Sequence, residues 1–489
     1  MKNLKDILYG VSVNELYGSA DVLINNLQIN SQLVKPNAIF IAIKGQTVDG
    51  HQYIDAAIKK GAKVIICQDL PAQRVENVTY IVVEDTKSAL ADMASNFYDN
   101  PSKKLKLVGI TGTNGKTTVA TLLYDLFSKL GYKVGLLSTV KILVNQQEFK
   151  TDNTTPDSLT INRYLAQMVK QGVSFCFMEV SSHGIHQKRT KGLNFTGGIF
   201  TNLTQDHLDY HLTFNAYRDV KKAFFDNLPK TAFALINADD KNGEVMLQNC
   251  QAKTYRYSLN SLADFKGKIL ENSLDGLLLQ LNKNEIWVKL FGTFNAYNIL
   301  AIYGTAMLLE VEEFDALKII SSLESVKGRF QFVLTESKIS IIVDYAHTPD
   351  ALKNVLSTLN TIRTGNEKLI CVMGCGGDRD KDKRKKMGYI ASKLSNLTII
   401  TSDNPRSENP EAIISQIESG VEPQDFKKIL SITNREQAIK TASQLAQPGD
   451  IVLIAGKGHE TYQEIKGVKH DFDDYKIALQ LFNETKKDR

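Results

Sequence analysis

Short apolar runs, bounded by polar turns, alternate along most of the chain with stretches in which apolar positions recur every three or four residues. The first pattern predicts buried strands and the second predicts amphipathic helices. In residues 1–101 the strand-like runs are "AIFIAIKG" (38–45), "AKVIICQD" (62–69) and "TYIVVED" (79–85), with a helical stretch, "HQYIDAAIKKGA", between the first two. The polar, proline-containing "DNPSKKLK" (99–106) reads as a linker. After it, "LKLVGI" predicts a strand and "TTVATLLYDLFSKLG" a helix, with Val119, Leu122, Leu123, Leu126, Phe127 and Leu130 on one face and Gly131 as the stop. Further strands are predicted at "KVGLLST", "FCFMEVS", "GGIFTNL" and "FALINAD". The composition changes again near 326–338, and a second series, "ISIIVDY", "KLICVMG", "NLTIITSDN" and "DIVLIAGKG", follows.

Strand–helix alternation of this kind predicts an α/β chain. Three domains are the simplest partition: a small N-terminal α/β domain (1–101), a central domain (102–330) and a C-terminal Rossmann-like α/β domain (331–489). The central domain is expected to hold a P-loop-type, parallel-rich sheet with helices on both faces. The length of 489 residues suits several domains rather than one.

Composition narrows the function classes. With 43% hydrophobic and 23% charged residues, the chain is an ordinary globular one. A net charge of +5 is too mild to argue for nucleic acid and is compatible with an anionic small substrate. Cys67, Cys176, Cys250, Cys371 and Cys375 are odd in number, form no C-x-x-C pair and sit in or near apolar runs, as reduced thiols of a cytosolic protein do. The start, "MKNLKDILYG", carries no apolar signal core, and no run approaches the ~18 apolar residues of a membrane helix. A cytoplasmic protein without membrane insertion is expected.

The stretch "VGITGTNGKTTVATLLYDLF" (108–127) carries the strongest chemical signal. It departs from the strict G-x-x-x-x-G-K-[ST] spacing, since Ile110 stands where a glycine is expected. It still places a glycine-rich turn between a strand and a helix that begins Lys116-Thr117-Thr118. Glycines allow close backbone approach, helix N-terminal N–H groups bind phosphate oxygens, and a threonine hydroxyl can ligate Mg²⁺. Glu179 and Ser181 in "FMEVSSHGIHQKR" end an apolar strand, where ligands of open α/β sheets collect. Alone, Glu179 reads equally well as a solvated acid. "TNLTQDHLDYH" (201–211) sets His207 and His211 four apart, which suits either a metal site or a polar helix cap. In "AYRDVKKAFF", Lys221 and Lys222 would ordinarily be a solvated helix face. In the last third, "IIVDYAHTPDAL", "MGCGGDRDKDKRKKMG", "SDNPRSENPEAI" and "AGKGHETYQ" are weak singly, but as four polar loops after four strands they predict one active-site rim.

Taken together these motifs resemble the Mur ligase family, ATP-dependent amide-forming enzymes of cell-wall synthesis, over essentially the whole chain. The family's phosphate loop, T-G-T-N-G-K-T-[ST], is how Thr111 to Thr118 read, so the glycine offset is the family's own variant. The resemblance implies a catalytic set of Lys116, Glu179, His207 and Lys221. Thr117, Glu179, His207 and Lys221 would be the Mg²⁺ ligands, Lys221 acting as a carbamate (N6-carboxylysine). Gly112, Thr113, Asn114, Gly115, Lys116, Thr117 and Thr118 would hold ATP, joined by Asn295 and Asn298 in "FGTFNAYNILA", Arg329 in "KGRF", and Asp344, Tyr345 and His347.

For the second substrate, UDP-N-acetylmuramoyl-L-alanyl-D-glutamate, it implies Ser31, Gln46, Thr47, Val48, Asn153, Thr154, Thr155, Ser181, Gln187 and Arg189. The usual D-S-R is Asn30-Ser31-Gln32 here, a departure at the uridine end. For the amino acid, Asp403, Asn404, Pro405 and Arg406, with Arg379, Gly456 and Glu460, match a pocket for meso-2,6-diaminopimelate. Arg406 offers a bidentate fork for a distal carboxylate that lysine lacks. The expected chemistry passes through an acyl phosphate, in a monomer that binds no nucleic acid. Other readings are a lysine-adding ligase of the family, a folylpolyglutamate synthase-like ligase, and a P-loop ATPase motor or switch.

Overall fold

The computed structural model describes residues 1–45, 48–151 and 153–484. Their strands group into three main sheets. A five-stranded sheet lies within residues 15–82, an eleven-stranded sheet within 106–288 and a six-stranded sheet within 331–455. Every strand predicted above is present.

The middle of the large sheet is parallel: Val134–Leu137, Phe175–Glu179, Lys106–Thr111, Gly197–Phe200 and Phe233–Asn237 are neighbours in that order. Their register brings Glu179 opposite Ile110 and Phe200 opposite Thr111, so the carboxyl ends of three adjacent strands form one ledge. Parallel strands buried on both faces read as continuous apolar runs, which is why they were legible. Helices cover both faces. Lys116–Lys129 and Thr293–Leu308 pack over one core, with Leu122, Leu126, Phe177, Leu235 and Ile299 among its residues. Ser158–Lys170 and Phe214–Asp226 pack over the other, around Met178, Phe195, Phe200, Phe224 and Ile236. Each edge is finished by antiparallel strands, Ile142–Val144 and Gln147–Phe149 on one side and Phe265–Ser273, Gly276–Leu281 and Asn284–Val288 on the other. Sequence patterning placed no strand there: the apolar runs Ile142–Val144 and 277–279 are only three residues long.

In the last sheet Ser340–Asp344, Ile451–Ala455, Leu369–Met373 and Leu397–Ile400 are adjacent and parallel, and the four polar loops do leave the same edge. Two local expectations change. The stretch 99–106 is no free linker: Pro101 and Ser102 are buried, and the Ser102 hydroxyl accepts from Asn194 N at 3.0 Å. The helical stretch beginning at His51 splits into a 3₁₀ turn, Gly50–Tyr53, and a short helix, Ile54–Lys59.

Candidate active site

The phosphate loop is shaped by what packs against it. Gly112 sits at φ 150°, and a Cβ there would lie 1.9 Å from the Thr201 hydroxyl, so no side chain fits. Gly109, by contrast, belongs to the strand and gives room to the Phe224 and Phe195 rings. The loop is pinned by the segment after Gly197–Phe200. Thr113 N donates to Asn202 O at 2.8 Å, Asn114 N to Asn202 Oδ1 at 2.9 Å, and the Thr201 hydroxyl to Asn114 O at 2.6 Å. The Lys116 ammonium curls back onto Gly112 O and Thr113 O, both at 2.8 Å. Burial lowers its pKa although Glu179 and Asp206 face it.

Glu179 is fully buried and every donor around it is neutral: Thr139 N at 2.7 Å, the Thr139 hydroxyl at 3.1 Å and the Thr117 hydroxyl at 3.0 Å. Its backbone carbonyl accepts from the Thr155 hydroxyl, which in turn accepts from Ser181 N. Arg189 donates to Thr155 O at 2.5 Å and to Gln187 Oε1, and Thr154 meets Thr139 at 3.1 Å. Thr154, Thr155, Ser181, Gln187 and Arg189 therefore form one hydrogen-bonded surface continuous with the phosphate loop. Asn153 lies at its exposed margin. Thr139, at the end of the strand "KVGLLST", was missed; its position at a strand's carboxyl end is the signal that would have found it.

Lys221 and Lys222 part ways. Lys222 pairs with Asp226 at 2.7 Å one turn on. Lys221 is 1% exposed, donates to Gly112 O at 2.9 Å and lies 4.8 Å from the Tyr217 ring centre. Burial, reinforced by the neighbouring Lys116 charge, pulls its pKa well below the ordinary lysine range. Both effects favour the uncharged amine, the form that can act as a nucleophile.

His207 adopts φ 54° ahead of the short helix Leu208–His211, so it and His211 do not share a helix face. Its Nε2 lies 3.5 Å from Asp206, a mostly buried acid that was not singled out from the sequence. Among the described residues no group of three or more His, Cys, Asp or Glu side chains is arranged around a metal position. The oxygen donors of Thr117 and Glu179, 3.0 Å apart at the loop rim, are nevertheless the type that Mg²⁺ takes, and they fit an ion arriving with a nucleotide.

Arg329 crosses from the ledge to the last sheet. It donates to the Thr117 hydroxyl at 3.0 Å and stacks 4.5 Å from the Tyr345 ring centre. Tyr345 also packs on His347 and His459, and its hydroxyl reaches Glu460 Oε1 at 3.5 Å. Asp344 accepts from Phe330 N at 2.6 Å, and burial raises its pKa. Asn298 donates to Asn295, which shares a 190 Å³ cavity with Phe291, Phe330 and Phe332.

The loops after the C-terminal strands converge as expected. Asn404 donates to Glu460 at 2.7 Å, and Arg406, at φ 50°, donates to Gly377 O at 2.8 Å and lies 3.6 Å from Glu464. A Cβ on Gly456 would stand 2.6 Å from Asp403 Oδ2, and one on Gly376 2.9 Å from Arg406 Nη1. Arg379 is exposed at the margin, 3.8 Å from that same Gly376 position. A hairpin that sequence reasoning missed, Tyr462–Ile465 with Val468–Asp471, docks against Arg406, whose N–H donates to Glu464 O and whose carbonyl accepts from Lys466 N.

The predicted uridine end stands apart. Ser31 is buried in a 3₁₀ turn whose N-cap is the Asn30 side chain, a structural use for the departure from D-S-R. Val48 is half exposed, and among the described residues no hydrogen bond joins Ser31 or Val48 to the ledge. Gln46 and Thr47 lie outside the described residues.

Comparison with known proteins places these features in a family. Residues 110–306 match the Mur ligase middle domain, 328–458 the Mur ligase glutamate ligase domain, and 23–98 the Mur ligase family catalytic domain. The chain is 52% identical over 479 residues to the UDP-N-acetylmuramoyl-L-alanyl-D-glutamate–2,6-diaminopimelate ligase of Phocaeicola vulgatus, covering 98% of this chain and 99% of the relative. It is 41% identical to the enzyme of the same name from Clostridioides difficile, covering 98% of this chain and 99% of that one. A solved structure of a ligase of that name superposes with a TM-score of 0.70 at 31% identity over 99% of both chains. A Mycobacterium tuberculosis folylpolyglutamate synthase shares the fold at 17% identity and TM-score 0.62, matching 76% of this chain and 92% of its own.

Proposed function

The chain belongs to the Mur ligase family, and from that premise we propose that it is an ATP-dependent ligase of peptidoglycan precursor synthesis, adding meso-2,6-diaminopimelate to UDP-N-acetylmuramoyl-L-alanyl-D-glutamate. One observation carries the assignment beyond the family. Arg329 on Thr117, Tyr345 under Arg329 and Glu460 beside Tyr345 make a shared wall between the phosphate loop and the Asn404–Arg406 turn. A nucleotide and an amino acid held there would both reach the acyl group set between them.

In this reading the D-glutamate side-chain carboxylate attacks the γ-phosphorus of ATP, and ADP leaves. Lys116 and the backbone N–H groups of 112–118 hold the negative charge that builds on the transferring group. Magnesium bound with the nucleotide at Thr117 and Glu179 would supply further charge neutralisation there. Lys221, whose burial favours the uncharged amine, would add CO₂ and lose a proton to become a carbamate. That exchanges an amine for two oxygens sharing one negative charge, where an ammonium would repel the ion. The acyl phosphate then takes the amine of diaminopimelate, and the tetrahedral adduct expels inorganic phosphate to leave the amide. Thr154, Thr155, Ser181, Gln187 and Arg189 would hold the muramoyl dipeptide, with Ser31, Gln46, Thr47 and Val48 toward the uridine. The phenyl rings beside Asn295 suit a purine. The units 1–101, 102–330 and 331–489 would carry uridine, ATP and amino-acid binding in turn, in a cytoplasmic monomer; no described helix is long and apolar enough to cross a membrane.

The deciding assay is phosphate release as a function of cosubstrate. Turnover should require the UDP-muramoyl dipeptide and diaminopimelate together. Stimulation by a polynucleotide, or by a folate with glutamate, would replace this reading with one of its rivals.

A further inference from the structure

Lys457 is the buried cation of the amino-acid pocket, and nothing above gives it a role. Its side chain is 0% exposed, and its ammonium reaches Glu460 Oε2 at 3.3 Å, Asn404 Oδ1 at 3.3 Å and the Tyr462 carbonyl. These three partners come from three separate segments: its own loop, the Asn404–Arg406 turn and the docked hairpin. The backbone of its loop is held by other means. Gly456 N donates to Asp344 O at 3.0 Å, Glu460 N to Lys457 O at 3.0 Å, and the buried Arg435, paired with Asp474 at 2.7 Å, donates to Ala455 O. Lys457 is thus buried at the meeting point of the pocket's walls, in a loop that has other backbone anchors as well.

We propose that Lys457 is a positioning residue for the amino-acid substrate, holding Glu460 and Asn404 so that one carboxylate oxygen stays free for the substrate's distal ammonium. The proposal rests on the diaminopimelate reading of this pocket. Glu460 Oε2 already accepts from Asn404 at 2.7 Å and from Lys457, whereas the contact to Oε1 is the Tyr345 hydroxyl at 3.5 Å. Oε1 is the oxygen left with capacity. Asp403, 7% exposed, lies close enough to oppose a charge on Glu460, and Lys457 offsets it. The other titratable groups facing Glu460 are Tyr345, Tyr462 and Arg435. Without the buried ammonium, two carboxylates would face each other across the pocket. Glu460, whose pKa burial already raises, would then hold its proton to higher pH and lose its attraction for an ammonium.

The test is kinetic, on the full chain. Lys457→Met should raise the KM for meso-diaminopimelate roughly 10- to 100-fold, the range for losing a hydrogen bond to a charged group. The KM values for ATP and the UDP-muramoyl dipeptide should stay within about twofold. In the milder Lys457→Gln, which keeps a donor and guards against misfolding, the acid limb of kcat/KM for diaminopimelate should move to higher pH. Because Lys457 acts through Glu460, adding Lys457→Met to Glu460→Gln should cost little beyond Glu460→Gln alone. An unchanged KM for diaminopimelate in both Lys457 variants, equal rises for all three substrates, or full additivity with Glu460→Gln would overturn the proposal. Arg406→Ala in the same assay separates the layers. If it weakens diaminopimelate while Lys457 variants do not, only the role of Lys457 falls. If the wild type does not use diaminopimelate, the reading of the pocket falls and takes this role with it.

Discussion

The phosphate loop and the proposed amino-acid pocket both sit at the carboxyl ends of parallel strands, yet they are put together in different ways. Residues 112–115 join one strand to one helix, and the cradle is continuous in the chain. The pocket gathers Tyr345, Gly376, Asn404–Arg406 and Gly456–Glu460 from loops after four strands, and a hairpin closes it. In the first case a single chain segment supplies the cradle, and the side chains of Thr201, Asn202, Lys116 and Lys221 pin it. In the second, geometry has to be imposed from outside. Arg384, 0% exposed, grips Glu408 with both nitrogens at 2.9 Å and reaches Gly376 O, while Glu408 also accepts from Asp378 N.

If that contrast holds, the largest loss should follow damage at the loop, where every substrate's chemistry converges. Lys221→Ala is expected to reduce kcat by about 10²- to 10³-fold, as loss of a preorganised electrostatic group does, with little change in the KM for diaminopimelate. Short carboxylates such as formate should restore part of the rate by standing in for the carbamate. Electron density from crystals of the wild type should show the added CO₂ on Lys221, whose amine is buried at Gly112 O, rather than on Lys222, which is paired with Asp226. A carbamate on Lys222 would move the role by one residue.

The pocket should respond more selectively. Arg406 is fixed by backbone pairing to Glu464 and Lys466 and by its bond to Gly377 O, with its fork beside Glu464. In the proposed pocket, Arg406→Ala would remove a charge-assisted partner of the distal carboxylate, a loss of ~2–5 kcal/mol, or roughly 30- to several-thousand-fold in selectivity for diaminopimelate over lysine. The measurement is the ratio of kcat/KM for the two amino acids in wild type and variant. A ratio that does not move, or a wild type that prefers lysine, would remove Arg406 as the selector and erase the distinction drawn between loop and pocket.

The same contrast explains what the sequence disclosed. The strand–loop–helix around Lys116 was readable because its signal is contiguous, and the parallel strands because burial on both faces leaves unbroken apolar runs. Glu179 was visible as a strand-end acid, but its clamp by Thr139 depends on which strands become neighbours, and periodicity does not encode that order. The edge hairpins, and the one that docks on Arg406, were unreadable for a related reason: Tyr462–Ile465 and Val468–Asp471 are largely polar and exposed. Lys221 was distinguished from Lys222 by family likeness alone, since both are lysines on one helix and only tertiary packing separates their surroundings.

The smallest expected effect lies where the two regions meet. His347 Nδ1–H donates to Tyr345 O at 2.7 Å, and burial, aided by the nearby Lys383 charge, lowers the His347 pKa to about 4. His459, on the other side of Tyr345, is lowered to about 3 for the same first reason. Both are neutral in the folded protein at pH values where the unfolded chain, near the ordinary 6.5, takes up a proton. As pH falls from about 6.5 toward 4, the unfolded state therefore binds more protons, and stability drops across that window. Above 6.5 neither group contributes a slope. Because His347 is only partly covered in the folded chain, a change of ~1 kcal/mol is the scale to expect from it. Urea unfolding of wild type and His347→Gln between pH 8 and 4 measures it: the variant should lose less stability on acidification, while the two should show parallel slopes above pH 7. Identical slopes throughout would mean that His347 is as well solvated folded as unfolded, and that the junction between loop and pocket is open to water rather than packed.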